Sequence, residues 1–132
     1  SMSLQQEVFR ACISLAEQMH LPLVVHAVKC TEELFRIHKE LKPQMPWIIH
    51  GFRGRKEVAE QYLKRGFYLS FGEHFHGEAL RSTPLERLLL ETDESRLSME
   101  EICRKAASVY GLPAEILAAR ITSNAQKVLF LQ

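Results

Sequence analysis

The chain has 132 residues, of which 46% are hydrophobic and 25% are charged. This length allows one domain with a buried core but is short for two, and the composition is ordinary for a globular protein. The 17 basic and 16 acidic residues leave a formal net charge of +1. Such a balance excludes strong non-specific attraction to nucleic acid, although it leaves room for a local basic patch.

Neither membrane insertion nor disulfide bonding is indicated by the sequence. No apolar run approaches the roughly 20 residues that span a bilayer, and no signal peptide is visible. The cysteines Cys12, Cys30 and Cys103 are widely spaced, odd in number and form no CxxC pair. Because this pattern is typical of reduced thiols, we expect a cytoplasmic protein that has no membrane partner.

Helical periodicity recurs along the chain. Apolar residues at helical spacing predict helices over residues 4–19, 31–41, about 55–65, 78–81 and 98–110. Local signals mark several ends: His20 closes the first helix, and Ser98 forms a capping box with Glu101. Gly111 stops the helix that this box begins. These signals predict that helices make up most of the secondary structure.

The C-terminal part of the chain is predicted to contain two further segments. Pro113 suits the first turn of a helix, whose inward residues are predicted to be Ile116, Leu117 and Ile121. The pair Ser123-Asn124 is typical of the start of a further, last segment. The last segment is expected to dock on the body through Ala125, Val128, Leu129 and Phe130.

Four short apolar runs between the helices predict strands, over residues 23–26, 47–49, 67–71 and 88–91. Continuous apolar character is typical of strands buried on both faces of a parallel sheet. His26 precedes His50 by 24 residues, and Asp93 lies 43 residues further on with one strand between them. This period predicts βα units, whose crossovers force the strands to be parallel. The chain therefore corresponds to half of a (β/α)8 barrel, or to a small open α/β sheet, and we expect one domain over residues 1–132.

Three side chains at equivalent strand ends are candidates for chemistry. His26, His50 and Asp93 each lie at or just past the end of a strand, and in a barrel such positions converge on the mouth. Imidazole and carboxylate ligands suit Zn²⁺ or other divalent metals, which can activate water. A single such histidine more often bonds a backbone carbonyl, but two at matching phase with an aspartate favour a metal site. Glu91 is expected to point either away from the neighbours of Asp93 or into the barrel layer.

Four further residues are candidate substrate contacts. Lys29 and Arg53 each follow one of the two histidines by three residues and could meet an anionic substrate, or they could form surface salt bridges. His74 and His76 flank Phe75 in a predicted loop. Their position favours substrate contact or solvent exposure over metal binding.

Several phrases together resemble the TatD-type metal-dependent deoxyribonucleases: Val25-His26, Ile49-His50-Gly51-Phe52-Arg53-Gly54, Tyr68-Leu69-Ser70-Phe71-Gly72 and Leu90-Glu91-Thr92-Asp93-Glu94-Ser95. The phrase that begins at Gly72 is similar to a compact bacterial branch of that family. The resemblance implies a (β/α)8 barrel of the metal-dependent hydrolase type, which cleaves phosphodiesters such as DNA with one to three divalent ions (Zn, Mg or Mn). It also implies that His26, His50 and Asp93 are metal ligands on the fifth, sixth and eighth barrel strands, with Asp93 as the catalytic residue that activates water.

The chain also departs from the family pattern. The first-strand HxH and the fourth-strand glutamate of the family have no counterpart in this sequence. Four parallel strands would leave two open edges and an uncovered inner face. We therefore expect self-association or a missing N-terminal half as the partner, and weak or no activity of the chain alone. The alternatives are a non-catalytic half-barrel module and a hydrolase of another ester or amide.

Overall fold

Four parallel strands form one sheet in the computed structural model, which describes residues 3–26, 31–93 and 95–129. In both chain order and sheet order they are β1 (Leu23–His26), β2 (Trp47–His50), β3 (Tyr68–Phe71) and β4 (Leu88–Leu90). Each neighbouring pair is parallel. The predicted run of βα units is confirmed.

Helices connect and follow the strands. In the described part of the chain they are α1 (Leu4–Met19), α2 (Thr31–Leu41), α3 (Lys56–Lys64), α4 (Gly77–Ser82), α5 (Met99–Tyr110) and α6 (Ala114–Leu129). A 3-10 turn, Leu85–Arg87, precedes β4. The predicted ends at His20 and Gly111 are confirmed, since both residues adopt left-handed C-cap conformations. The Ser98–Glu101 capping box is present as well. No helix described here has the length and apolar character needed to cross a membrane.

Helix α6 differs from the prediction. The expected new start at Ser123-Asn124 is wrong, because the helix runs without interruption to Leu129. Asn124 is 2% exposed and donates hydrogen bonds to the carbonyls of Leu85 and Leu88. Ile116 and Leu129 face solvent instead of the core, whereas Leu117 and Val128 are buried as predicted. Phe130 lies outside the described residues.

The two faces of the sheet differ in burial at β1, whereas β2 and β3 carry buried residues on both faces. The hydrophobic core lies on the helix side and takes alternate strand residues: Leu23, Val25, Trp47, Ile49, Leu69, Phe71, Leu88 and Leu90. The opposite face, which we call the inner face, carries Val24, His26, Ile48, His50, Tyr68, Ser70, Leu89 and Glu91. Val24 is 56% exposed. The prediction of strands buried on both faces is therefore wrong for β1, where buried and exposed residues alternate because the core covers one face only.

The apolar stripe of α1 is wider than the surface that it buries. Ile13 is buried, and Phe9 and Ala16 pack against the core. Val8 and Met19, on the same helix, are more than half exposed. The helix therefore docks through one narrow strip and leaves apolar side chains in solvent.

His38 packs into an aromatic cluster behind the sheet. Its ring centroid lies 4.8 Å from that of Trp47 and 4.6 Å from that of Phe67. Burial, together with the positive charge of Arg65, lowers the pKa of His38 below its ordinary value. The neutral ring is therefore the form that the fold favours.

This environment predicts a pH-dependent stability. The unfolded chain takes up a proton at His38 near pH 6.5, whereas the folded chain does so only at lower pH. Since the unfolded state then binds more protons, the free energy of unfolding should fall as pH decreases from about 6.5 towards the folded pKa. Urea unfolding at several pH values should show a weaker fall in His38→Gln than in the parent chain. His76→Gln, at an exposed histidine, should keep the parental slope, and an unchanged slope in His38→Gln would contradict the prediction.

Candidate functional site

The candidate site lies on the inner face of the sheet, at the carboxyl ends of the strands. The parallel register pairs His26 of β1 directly with His50 of β2. Their ring centroids are 4.9 Å apart, and the rings are nearly perpendicular. Because both residues follow the same alternation, the sheet itself places the two imidazoles side by side.

His50 lies between two carboxylates. Its Nδ1 is 2.7 Å from Oε2 of Glu91, and its Nε2 is 3.0 Å from Oδ2 of Asp93. The side chain of Asp93 is 60% exposed, whereas those of His50 and Glu91 are 23% and 14% exposed. The imidazole therefore bridges a carboxylate inside the sheet layer and a carboxylate at the open mouth.

Glu91 is the residue of the site that the sequence left without a role. Its Oε2 also accepts hydrogen bonds from the Ser70 hydroxyl at 2.5 Å and from the Gly51 backbone N–H at 3.1 Å. Of the two orientations expected for Glu91, the one away from the neighbours of Asp93 is wrong, because both carboxylates contact His50. The other, into the barrel layer, agrees with its place on the inner face. The sequence did contain a signal for this contact. Side chains two residues apart in a strand lie on the same face, so Glu91 shares the inner face with Leu89.

Gly51 makes this contact sterically feasible. Its φ of +66° is a left-handed conformation, which glycine adopts at little cost. The next residue, Phe52, donates its backbone N–H to the Ser70 carbonyl at 2.9 Å. The turn after β2 is thus fixed to β3, which directs the Gly51 N–H towards Glu91.

The predicted substrate contacts have mixed outcomes. Arg53 and His76 are exposed, and His74 is an exposed residue 3.5 Å from the Glu73 carboxylate. Within residues 3–26, 31–93 and 95–129, none of these three belongs to the hydrogen-bonded group around His50. Lys29 lies outside the described residues. The structure therefore places His26, Asp93 and Glu91 each next to His50, but it does not join the predicted substrate contacts to them.

The loop after β3 is fixed by Glu73. Burial alone would raise the pKa of Glu73, but hydrogen bonds from Ser95 and Arg96 and the nearby charges of His74 and Lys105 outweigh it, so the pKa is lowered. Lys105 of α5 also donates to the Glu73 backbone carbonyl. The carboxylate thus ties this loop to the segment that follows Asp93.

The donor atoms around His50 suit a divalent metal. Imidazole nitrogen and carboxylate oxygen are suitable donors for first-row metals. Two ligand atoms at right angles, each roughly 2.1 Å from one ion, would lie about 3 Å apart, which matches the separation between His50 Nε2 and Asp93 Oδ2. However, no three His, Cys, Asp or Glu side chains of the described residues converge closely enough to hold an ion. These residues therefore fit as part of a coordination shell.

Comparison with known proteins decides the family. The sequence model of the family described as TatD related DNase matches residues 1–130. The chain belongs to this family. The resemblance drawn from the strand-end phrases is thereby confirmed.

Individual TatD relatives agree with this assignment. The uncharacterized metal-dependent hydrolase YabD of Bacillus subtilis is 39% identical over 98 residues, which are 68% of this chain and 38% of YabD. The deoxyribonuclease Tat-D of Schizosaccharomyces pombe is 28% identical over 67% of this chain and 31% of its own length. The chain thus spans less than two fifths of the length of these relatives.

A solved structure of the TatD family confirms the fold. The crystal structure of YJJV, a TatD homologue from Escherichia coli, superposes with a TM-score of 0.79 at 20% identity. The match covers 97% of this chain and 59% of that one. The predicted fold class, parallel βα repeats corresponding to part of a TatD-type barrel, is therefore confirmed.

Proposed function

We propose that this chain supplies the metal-binding side of a TatD-type hydrolase that cleaves phosphodiester bonds in DNA. The observation that carries the proposal is the contact of His50 Nε2 with Asp93 Oδ2 at 3.0 Å, beside His26, at the mouth of a TatD-type sheet. The name of the Schizosaccharomyces pombe relative supports DNA as the substrate. A divalent ion, Zn²⁺, Mg²⁺ or Mn²⁺, would supply Lewis acidity and a bound water of lowered pKa.

Each residue of the site has a role in this proposal. His26 and His50 donate imidazole nitrogens, and Asp93 donates a carboxylate oxygen. Because the Asp93 side chain is 60% exposed, against 14% for that of Glu91, it is also placed to accept a proton from an attacking water that enters from solvent. Arg53, Lys29, His74 and His76 are proposed to contact the anionic substrate around the mouth.

We further propose that these residues need a complement. Residues 1–132 would act as one domain in the cytoplasm, and either a second copy or the half-barrel that precedes this region in relatives would supply the remaining ligands. The described residues, which bring no three ligand side chains together, support weak or absent activity of the chain alone. The same observation favours a second candidate function, a half-barrel module that binds a partner or an anionic ligand without catalysis.

Metal binding by His50→Ala tests the proposal. The parent chain should bind Zn²⁺ or Mn²⁺ stoichiometrically in calorimetry, and His50→Ala should lose more than the roughly 10–100-fold in affinity that loss of an outer hydrogen-bond partner causes. The exposed residue His74 offers a matched control, since His74→Ala should retain the parental affinity. Equal affinities of the parent and His50→Ala would refute the metal assignment.

Cleavage of DNA separates the two candidate functions. Metal-dependent cleavage of plasmid DNA that is lost in His50→Ala would support the hydrolase. Stoichiometric metal without cleavage, even when the mixture contains the first half of a relative, would support the non-catalytic module.

A further inference from the structure

We propose that Glu91 is a positioning residue, which fixes the orientation and the tautomer of His50 so that Nε2 is left as a ligand atom. The inference concerns the side of His50 that faces away from Asp93. The purpose of this role rests on the proposed metal-dependent function, whereas the contacts between Glu91 and His50 do not depend on that function. Outer carboxylates that hold the second nitrogen of a metal-binding histidine are a common way to orient the ring.

Glu91 is itself held in place by residues of two neighbouring strands, β2 and β3. Its backbone N–H donates to the Phe71 carbonyl of β3 at 2.9 Å, which extends the β3–β4 ladder by one residue. Its Oε2 accepts from Ser70 on β3, from Gly51 in the turn after β2, and contacts His50 at the end of β2. A carboxylate with so many fixed neighbours has little freedom to rotate. It can therefore impose its own geometry on the imidazole.

The two carboxylates around His50 compete for one proton. A neutral imidazole carries a single N–H, so only one of its nitrogens can donate. The contact with Glu91 is shorter, 2.7 Å against 3.0 Å, and Glu91 is far less exposed than Asp93. Hydrogen bonds to ionised groups gain strength where water is excluded. The geometry therefore places the proton on Nδ1.

This placement leaves an acceptor pair at the mouth. With Nδ1 protonated, the lone pair of His50 Nε2 faces Asp93 Oδ2, which is also an acceptor. Two acceptors 3.0 Å apart have no hydrogen between them and attract a cation. Glu91 thus converts a histidine that could donate to Asp93 into one that binds a metal together with it.

The tautomer can be measured without any metal. Long-range ¹H–¹⁵N correlation spectra of the metal-free 132-residue chain, recorded at a pH at which the ring is neutral, distinguish protonated Nδ1 from protonated Nε2. We expect Nδ1–H for His50 in the parent chain. We expect the same tautomer in Glu91→Gln, whose amide oxygen can still accept, and Nε2–H in Glu91→Leu. Nε2–H in the parent chain, or Nδ1–H retained in Glu91→Leu, would overturn the inference.

Metal affinity gives the second readout. Glu91→Leu should lower the affinity for Zn²⁺ by roughly 10–100-fold, and Glu91→Gln should restore most of it. Glu33→Leu is a control, because Glu33 is a partly exposed carboxylate (33%) on α2 and not at the mouth, and it should keep the parental affinity for Zn²⁺. Ser70→Ala covers the case in which Glu91→Leu fails to fold, since it removes one fixed neighbour of Glu91 and should weaken Zn²⁺ binding in the same direction.

The outcomes separate this inference from the proposed function. A parent chain with the Nδ1–H tautomer that binds no metal contradicts the metal-dependent function and leaves the positioning role intact. A parent chain that binds metal with the same affinity as Glu91→Leu supports the function and overturns the positioning role.

Discussion

Replacement of Asn124 by alanine should lower the free energy of unfolding by about 1–3 kcal/mol, because it leaves the buried carbonyl of Leu88 without its hydrogen-bond donor and removes one of two hydrogen bonds to the carbonyl of Leu85. The Asn124 amide donates to the carbonyl of Leu85, the first residue of the 3-10 turn before β4, and to that of Leu88 in β4 itself. It thereby joins α6 to the strand that leads into Asp93. Leu88 is fully buried, so water cannot replace the lost donor without opening the core.

Urea unfolding measures this effect. We expect a lower midpoint in Asn124→Ala with an unchanged slope, which indicates a change in stability and not in the surface exposed on unfolding. Gln126→Ala offers a control on the same helix at an exposed position, and it should change stability by less than about 0.5 kcal/mol. An Asn124→Ala chain within that same range would show that the two hydrogen bonds contribute little.

Asn124 also illustrates where prediction from the sequence fails. Ser and Asn favour helix starts because their side chains bond nearby backbone N–H groups. In α6 the Asn124 side chain instead bonds carbonyls nearly 40 residues earlier in the chain, and the helix continues. By contrast, the start of α5 depends on Ser98 and Glu101 alone, three residues apart, and was predicted correctly. Local contacts are readable from sequence, whereas contacts between distant segments override them.

At the site, too, local patterns could be predicted from the sequence, whereas contacts between distant segments could not. The regular period of the βα units placed His26, His50 and Asp93 at one edge of the sheet without any structure. The contact of Glu91 with His50 depends on the register of three strands and on one side-chain rotamer, which no single segment encodes. An uncovered inner face was likewise expected from the number of strands. Within that face Val24 is 56% exposed whereas Ile48 is 7% exposed, a difference between two apolar residues that the sequence does not reveal.

The chain should associate with itself in solution through this inner face. Val24 is 56% exposed at the centre of β1, and β1 and β4 are the edges of the sheet. Exposed strand edges next to apolar surface promote pairing with another chain. Light scattering should give a mass at least about twice that of one chain at micromolar concentration, falling on dilution. A monomeric mass together with cooperative melting would contradict this expectation.

A charge on the inner face tests which surface is responsible. Val24→Lys should reduce the mass towards that of one chain, since lysine on an edge strand opposes strand pairing. Val58→Lys is the control, because Val58 is a partly exposed valine on α3 and not on the sheet. If Val58→Lys dissociates the chain equally well, the contact involves the helices instead.

The position of Val24 connects association with the metal site. Val24 precedes His26 by two residues on the same face of β1, so a partner that covers one must approach the other. Metal bound per chain should therefore fall together with the mass in Val24→Lys if the partner contributes ligands to the site. If metal binding persists in the dissociated variant, His26, His50 and Asp93 hold the ion without help from the partner. In that case the partner would be needed for catalysis but not for metal binding.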